Sequence, residues 1–224
     1  TQQIMLADLP LGEGGADRRV VMQAPKNGFF YVLDAADGEL ISATPFTAQN
    51  WTTGEFDENG RPVLIDEAVD LALYAVVPGP TGAHNWHPMA FNPDTGLVYI
   101  PVNEIPFFYD KTRNVENSKS WWNVGYDVAA GWPVEYPAGT LDAVADLDGG
   151  SLLAWDPVKA EPRWAVPFAL PLNGGVLSTD AGLVFQGNKF GDLVAYDAET
   201  GERLWSEQLV GNAAAAPMTY EIDG

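Results

Sequence analysis

Ala195-Tyr196-Asp197-Ala198-Glu199-Thr200-Gly201-Glu202-Arg203-Leu204-Trp205 has a partner in outline about 40 positions earlier. That partner is Ala154-Trp155-Asp156-Pro157-Val158-Lys159-Ala160-Glu161-Pro162-Arg163-Trp164. Both read Ala-x-Asp, then a turn, then an Arg closing on a Trp at the same offset from the Ala. Such self-similarity marks a repeat architecture, in which one unit cannot bury its apolar face alone and stacks on its neighbour.

Outward from the repeat, strand signals dominate. Arg19–Gln23 and Phe29–Asp34 bracket Pro25-Lys26-Asn27-Gly28 and read as a hairpin. Asp37-Gly38 turns the chain into Glu39–Ala43. The same grammar returns at Met89–Asn92 and Leu97–Pro101 around Pro93-Asp94-Thr95-Gly96. It returns again at Gly175–Ser178 and Leu183–Gly187 around Thr179-Asp180-Ala181-Gly182, followed by Gly191–Asp197. No long segment holds helical apolar spacing; Glu67–Tyr74 comes nearest and reads as loop or a single turn. Residues 104–145 form one long irregular stretch holding Trp121, Trp122 and Trp132, a length usual for loops that function or cover a surface.

Short antiparallel strands with an aromatic motif at this period predict an all-β fold, a β-propeller of four-stranded antiparallel blades carrying tryptophan-docking motifs. In each motif the Ala packs on the neighbouring sheet, the turn reverses the chain and the Trp fills the gap between blades. Asp34, Asp156 and Asp197 are expected to form turns. The units number about four, near 15–60, 80–110, 145–185 and 185–224, of the roughly eight that a large ring holds. The chain opens and closes in strand-like sequence, Gln3–Leu6 and Thr219–Ile222, so 1–224 is expected to be one partial propeller domain.

Composition limits function. Net charge is −20, from 31 acids and 11 bases, which opposes nucleic-acid binding, where phosphates need clustered cations. There is no cysteine, so this chain holds no disulfide, thiolate metal site or cysteine nucleophile. No apolar run is long enough to predict a membrane-spanning helix. His84 and His87 stand three apart, but no third ligand is suggested for a metal site.

The Ala-x-Asp…Gly…Trp repeat resembles the docking motif of the pyrroloquinoline-quinone-dependent (PQQ-dependent) alcohol dehydrogenases, eight-bladed quinoproteins. Four further stretches sharpen the resemblance: Gln23–Asp34, Gly82-Ala83-His84-Asn85-Trp86-His87-Pro88-Met89-Ala90-Phe91, Gly174–Gly187 and Ala215–Gly224. It implies the C-terminal half of such a propeller. Lys26 matches the basic residue beside the quinone oxygens, where an ammonium stabilises the negative charge that develops as a hydride arrives. Asn85 matches an Asn whose amide hydrogen-bonds the cofactor, and Trp86 its neighbour lining the pocket. Lys26, Asn85 and Trp86 are therefore the expected site residues, Lys26 being the catalytic one.

The resemblance also implies an alcohol substrate, a cytochrome c electron acceptor, the remainder of the propeller as partner, and a periplasmic location. The catalytic carboxylate, the calcium ligands and a vicinal disulfide are expected upstream of Thr1. No haem-binding Cys-x-x-Cys-His occurs, so no haem domain is expected in this chain, which by itself is expected to be inactive. The alternative is a cofactor-free propeller serving as an interaction scaffold, which would have no reason to keep Lys26 together with Asn85-Trp86.

Overall fold

The computed structural model describes residues 2–69, 75–108, 147 and 149–222. Strands make up nearly all its regular elements; a short 3-10 turn at Glu13–Gly15 and one α-helical turn, α1 (Asp66–Val69), are the helical pieces among the described residues.

Three four-stranded antiparallel sheets carry the fold. The first runs β1 (Met5–Leu9), β2 (Arg18–Gln23), β3 (Phe29–Asp34), β4 (Leu40–Pro45). Two short strands, β5 (Thr52–Phe56) and β6 (Pro62–Leu64), form a hairpin whose Phe56 ring lies 4.9 Å from Phe29. The second sheet is built from β8 (Ala90–Asn92), β9 (Leu97–Asn103), β11 (Gly150–Asp156) and β12 (Glu161–Phe168). Between them, β7 (Ala75–Val76) pairs with β10 (Phe107–Phe108). The third sheet is β13 (Val176–Ser178), β14 (Leu183–Gly187), β15 (Asp192–Asp197) and β16 (Arg203–Gln208).

The expected hairpins are present, and the all-β propeller architecture holds, but the unit boundaries move. Residues near 80–110 and 145–185 do not form separate blades. β9 pairs with β11, Leu152 facing Pro101 and Ala154 facing Tyr99, so one sheet takes strands from both. Val176–Gly187 belongs with the strands that follow it. The first sheet begins at Met5 rather than near residue 15. The physical reason is the stretch between β9 and β11, which interrupts one blade between its second and third strands, so local turn signals split it in two. Thr219–Ile222 is not a strand and is largely exposed; β-prone composition forms no strand without a ladder partner for its backbone. Trp121, Trp122 and Trp132 lie outside the described residues.

The sheets stack through two cores. One joins Ala7, Val20, Met22, Phe30 and Val32 of the first sheet to Val98, Ile100, Leu153 and Trp155 of the second. The other joins Tyr99, Leu152 and Ala154 of the second to Val184, Val194 and Tyr196 of the third. β9, Leu-Val-Tyr-Ile-Pro-Val-Asn, is buried at every position because both its faces are covered by neighbouring sheets. β12, on the outer edge, alternates between exposed and half-buried over its last five residues.

The repeat that announced the fold appears as one shared irregularity. The register slips after Ala154 opposite Trp164, after Ala195 opposite Trp205, and after Val32 opposite Ser42. The first sheet thus carries a third copy with serine in the tryptophan's place. In all three the Asp turns the chain: Asp34, Asp156 and Asp197 each accept backbone N–H bonds at Oδ1, from Ala36, from Val158 and Lys159, and from Glu199 and Thr200. The Ala36 N–H, then Arg18, hold the Asp34 carboxyl below the usual carboxylate range; the Thr200 hydroxyl and N–H do the same for Asp197.

Candidate functional site

Each sheet is a meander, so its turns alternate between two ends. The Asp turns join third to fourth strands at one end. The turns joining second to third strands, and the connections into each first strand, gather at the other. Lys26 lies between β2 and β3, and Asn85 and Trp86 lie in the connection into β8, so topology alone places all three at the same end.

Local bonds bring them closer. Lys26 Nζ donates to the Pro80 carbonyl at 2.9 Å, and Asn85 Nδ2 donates to the next carbonyl, Thr81, at 2.8 Å. The Lys26 carbonyl accepts the Ala83 N–H at 3.0 Å. Gly82 makes the approach possible: its φ is +82°, and a Cβ there would overlap the Lys26 side chain. Asn27 is structural, bonding the Tyr31 hydroxyl and the Phe29 N–H.

The side chains keep unused capacity. Lys26 is exposed and uses one donor on Pro80. Asn85 Oδ1 accepts the Trp86 N–H at 2.9 Å, which leaves one amide donor and one acceptor position open. Trp86 is 56% exposed and belongs to neither inter-sheet core; its indole stacks on His87 at 4.0 Å. Thr81 Oγ1 is buried with no hydrogen-bond partner. An exposed ammonium, a half-committed amide, an indole and an orphaned hydroxyl suit a flat anionic ring edged with oxygens, which is the chemistry of PQQ.

Several residues at this end have surroundings that the sequence does not report. His84 is fully buried, with Nδ1 2.6 Å from the Ala24 carbonyl and Nε2 2.7 Å from that of His87. Burial pushes its pKa below the ordinary histidine value, against the two carbonyls that favour its protonated form. His87 is pushed down by burial, then by His84 and Lys189. Lys189 occupies the turn of the third sheet that matches the Lys26 turn of the first, a correspondence readable in the sequence only once the sheets are aligned. Among the described residues no three His, Cys, Asp or Glu side chains group as a metal site, and no helix is long and apolar enough to cross a membrane.

Comparison with known proteins identifies the family of the chain. Residues 67–224 match the sequence model of the family described as PQQ, the β-propeller domain of glucose/ethanol/alcohol dehydrogenases. The quinohemoprotein alcohol dehydrogenase ADH-IIG of Pseudomonas putida is 44% identical over 100% of this chain, which spans 32% of that protein. The 1-butanol dehydrogenase (cytochrome c) of Thauera butanivorans is 40% identical, with 100% of this chain and 32% of that protein covered. The solved structure of the Pseudomonas putida ADHIIG enzyme superposes with a TM-score of 0.83 at 42% identity, covering 100% of this chain and 33% of that one. A europium-containing methanol dehydrogenase superposes at 0.75 with 26% identity, covering 96% and 36%. The chain thus spans about a third of the length of the relatives it matches, and it belongs to the PQQ β-propeller family of glucose, ethanol and alcohol dehydrogenases.

Proposed function

We infer that residues 1–224 are a segment of a quinoprotein propeller and supply one wall of the site of a PQQ-dependent alcohol dehydrogenase. Such an enzyme oxidises an alcohol by hydride transfer to the quinone and passes the electrons to a cytochrome c. The observation that carries this reading is the hanging of Lys26 and Asn85 on the consecutive carbonyls of Pro80 and Thr81, with Trp86 exposed beside them. The names of the relatives, an alcohol dehydrogenase and a cytochrome c-linked butanol dehydrogenase, support the reaction class.

PQQ, when bound, supplies the two-electron acceptor. This chain's residues would hold and polarise it. Lys26 would set its ammonium against the oxygen on which negative charge develops, a fixed charge that needs no reorganisation during reaction. Asn85 would use its remaining amide donor and acceptor to fix the ring in its plane. Trp86 would present its indole to a flat surface and keep water away. The described residues offer no calcium cage, so a calcium ion in the intact enzyme would take its ligands from outside them. A periplasmic setting and a small alcohol substrate belong to the same proposal.

The test is dye reduction by the intact protein, supplied with PQQ and calcium, using primary alcohols. Turnover is expected, falling by about 10²–10³-fold in Lys26→Ala, the usual cost of removing one stabiliser of developing oxyanion charge. This chain alone is expected to give none. No PQQ uptake and no dye reduction by the intact protein would favour a cofactor-free scaffold.

A further inference from the structure

The Lys26 turn and the Asn85–Trp86 loop belong to different sheets and stand far apart in sequence, yet the proposed site needs them in one fixed relation. The Lys26 bond to Pro80 is exposed and ends on a flexible stem, so it holds that relation loosely. His84 is differently made. Its ring is rigid and fully buried, and its two nitrogens reach in opposite directions, one to Ala24, two residues before Lys26, the other to His87, two residues after Asn85. We propose that His84 is a positioning residue: its imidazole, held between the Ala24 and His87 carbonyls, clamps the Lys26 turn to the Asn85–Trp86 loop and so sets the geometry of the cofactor wall.

Two further observations agree. The same span is stitched by backbone bonds from Ala83 N–H to the Lys26 carbonyl and from Asn103 N–H to the Ala83 carbonyl at 2.6 Å, so the clamp lies in the middle of a bonded strip. Trp86 stacks on His87, so the residue whose carbonyl meets His84 also lies against the exposed indole of Trp86. Removing the ring would strand the buried carbonyl that takes its N–H, empty the space between the two carbonyls, and free both segments to drift. The inference rests on the reading that Lys26, Asn85 and Trp86 face PQQ.

The experiment uses the intact protein with His84→Phe, which keeps a ring and loses the ring N–H, and His84→Gln, whose amide NH2 restores a donor for the carbonyls. PQQ affinity is measured by titration, and amide hydrogen exchange is followed in the PQQ-free protein. His84→Phe is expected to weaken PQQ binding about tenfold, the loss corresponding to one buried hydrogen bond. It should also speed exchange in both 24–29 and 81–87 while β15 stays protected, and His84→Gln should recover part of each effect. PQQ affinity within about twofold of wild type in His84→Phe, with neither segment exchanging faster, overturns the proposal. If wild type itself fails to bind PQQ, the functional reading fails separately, and exchange still decides whether His84 couples the two segments. If His84→Phe does not fold, histidine ¹⁵N spectra of wild type decide: a protected, hydrogen-bonded ring N–H supports the clamp, and a freely exchanging ring overturns it.

Discussion

The two junctions between sheets use the same turn and different fillings. Between the second and third sheets, Trp164 donates its indole N–H to the Ala198 carbonyl at 3.1 Å, and Tyr99 sends its hydroxyl to the same oxygen at 3.0 Å. Gly201 lies against the Trp164 ring at φ +74°, where a Cβ would come within 2.7 Å of the indole. Between the first and second sheets the tryptophan position is Ser42, and the residue matching Gly201 is Ala160, at φ +56° and packed against the shared core. There the aromatic filling comes from inside, Trp155 tilting on Phe30 at 5.8 Å. Glycine at the turn is thus demanded jointly by backbone and neighbour. Where no indole presses on it, alanine bears the left-handed conformation.

Substitutions at the two junctions should differ in cost. The largest effect is expected from Trp164→Ala, about 3 kcal/mol lost in denaturant unfolding, from the emptied junction and a missing hydrogen bond. Gly201→Ala should cost about 2 kcal/mol, combining left-handed strain with the clash against Trp164. The matching change at the other junction, Ala160→Gly, should move stability by no more than about 0.5 kcal/mol, because relief of strain offsets lost chain entropy. If Ala160→Gly and Gly201→Ala shift stability by equal amounts in opposite senses, the neighbour plays no part and the contrast fails. Ser42→Ala should be smaller still, within the scatter of an ordinary surface change.

A pH test separates the junctions further, because the chain's only histidines, His84 and His87, both lie in the connection between the first and second sheets. Both have pKa values below the ordinary 6.5, so the folded state favours the neutral rings and the unfolded chain binds more protons. Their contribution to stability is full above 6.5 and is lost as pH falls below it toward their folded values. Exchange protection, relative to the intrinsic rate at each pH, should fall around 81–89 on acidification before it falls in β14 and β15; simultaneous loss would contradict this.

What the sequence showed and what it hid divide along the two ends of the sheets. The Asp turns were legible because an Asp side chain bonding its own backbone two or three residues on is local chemistry. The hairpin holding Lys26 was legible for the same reason. The second sheet was not, since its β9–β11 pairing spans a long insertion and no local signal reports it. The placement of Lys26 and Asn85 on neighbouring carbonyls was not derivable from spacing; resemblance supplied the residues and the fold supplied their proximity. In the sequence His84 stands out only as half of a histidine pair lacking a third metal ligand, because burial and two carbonyl partners are tertiary facts. Lys189 hid because its turn matches that of Lys26 only after the sheets are aligned.

On the proposed function, the end holding Lys26, Asn85 and Trp86 is a cofactor wall, whereas the Asp-turn end is scaffold. Titration of the intact protein with PQQ tests it most directly, comparing wild type, Lys26→Ala and, as a scaffold control, Asp156→Asn. Saturable binding is predicted, weakened about tenfold or more by Lys26→Ala and unchanged by Asp156→Asn. No binding by wild type, or equal affinity in wild type and Lys26→Ala, would rule out a cofactor wall at this end.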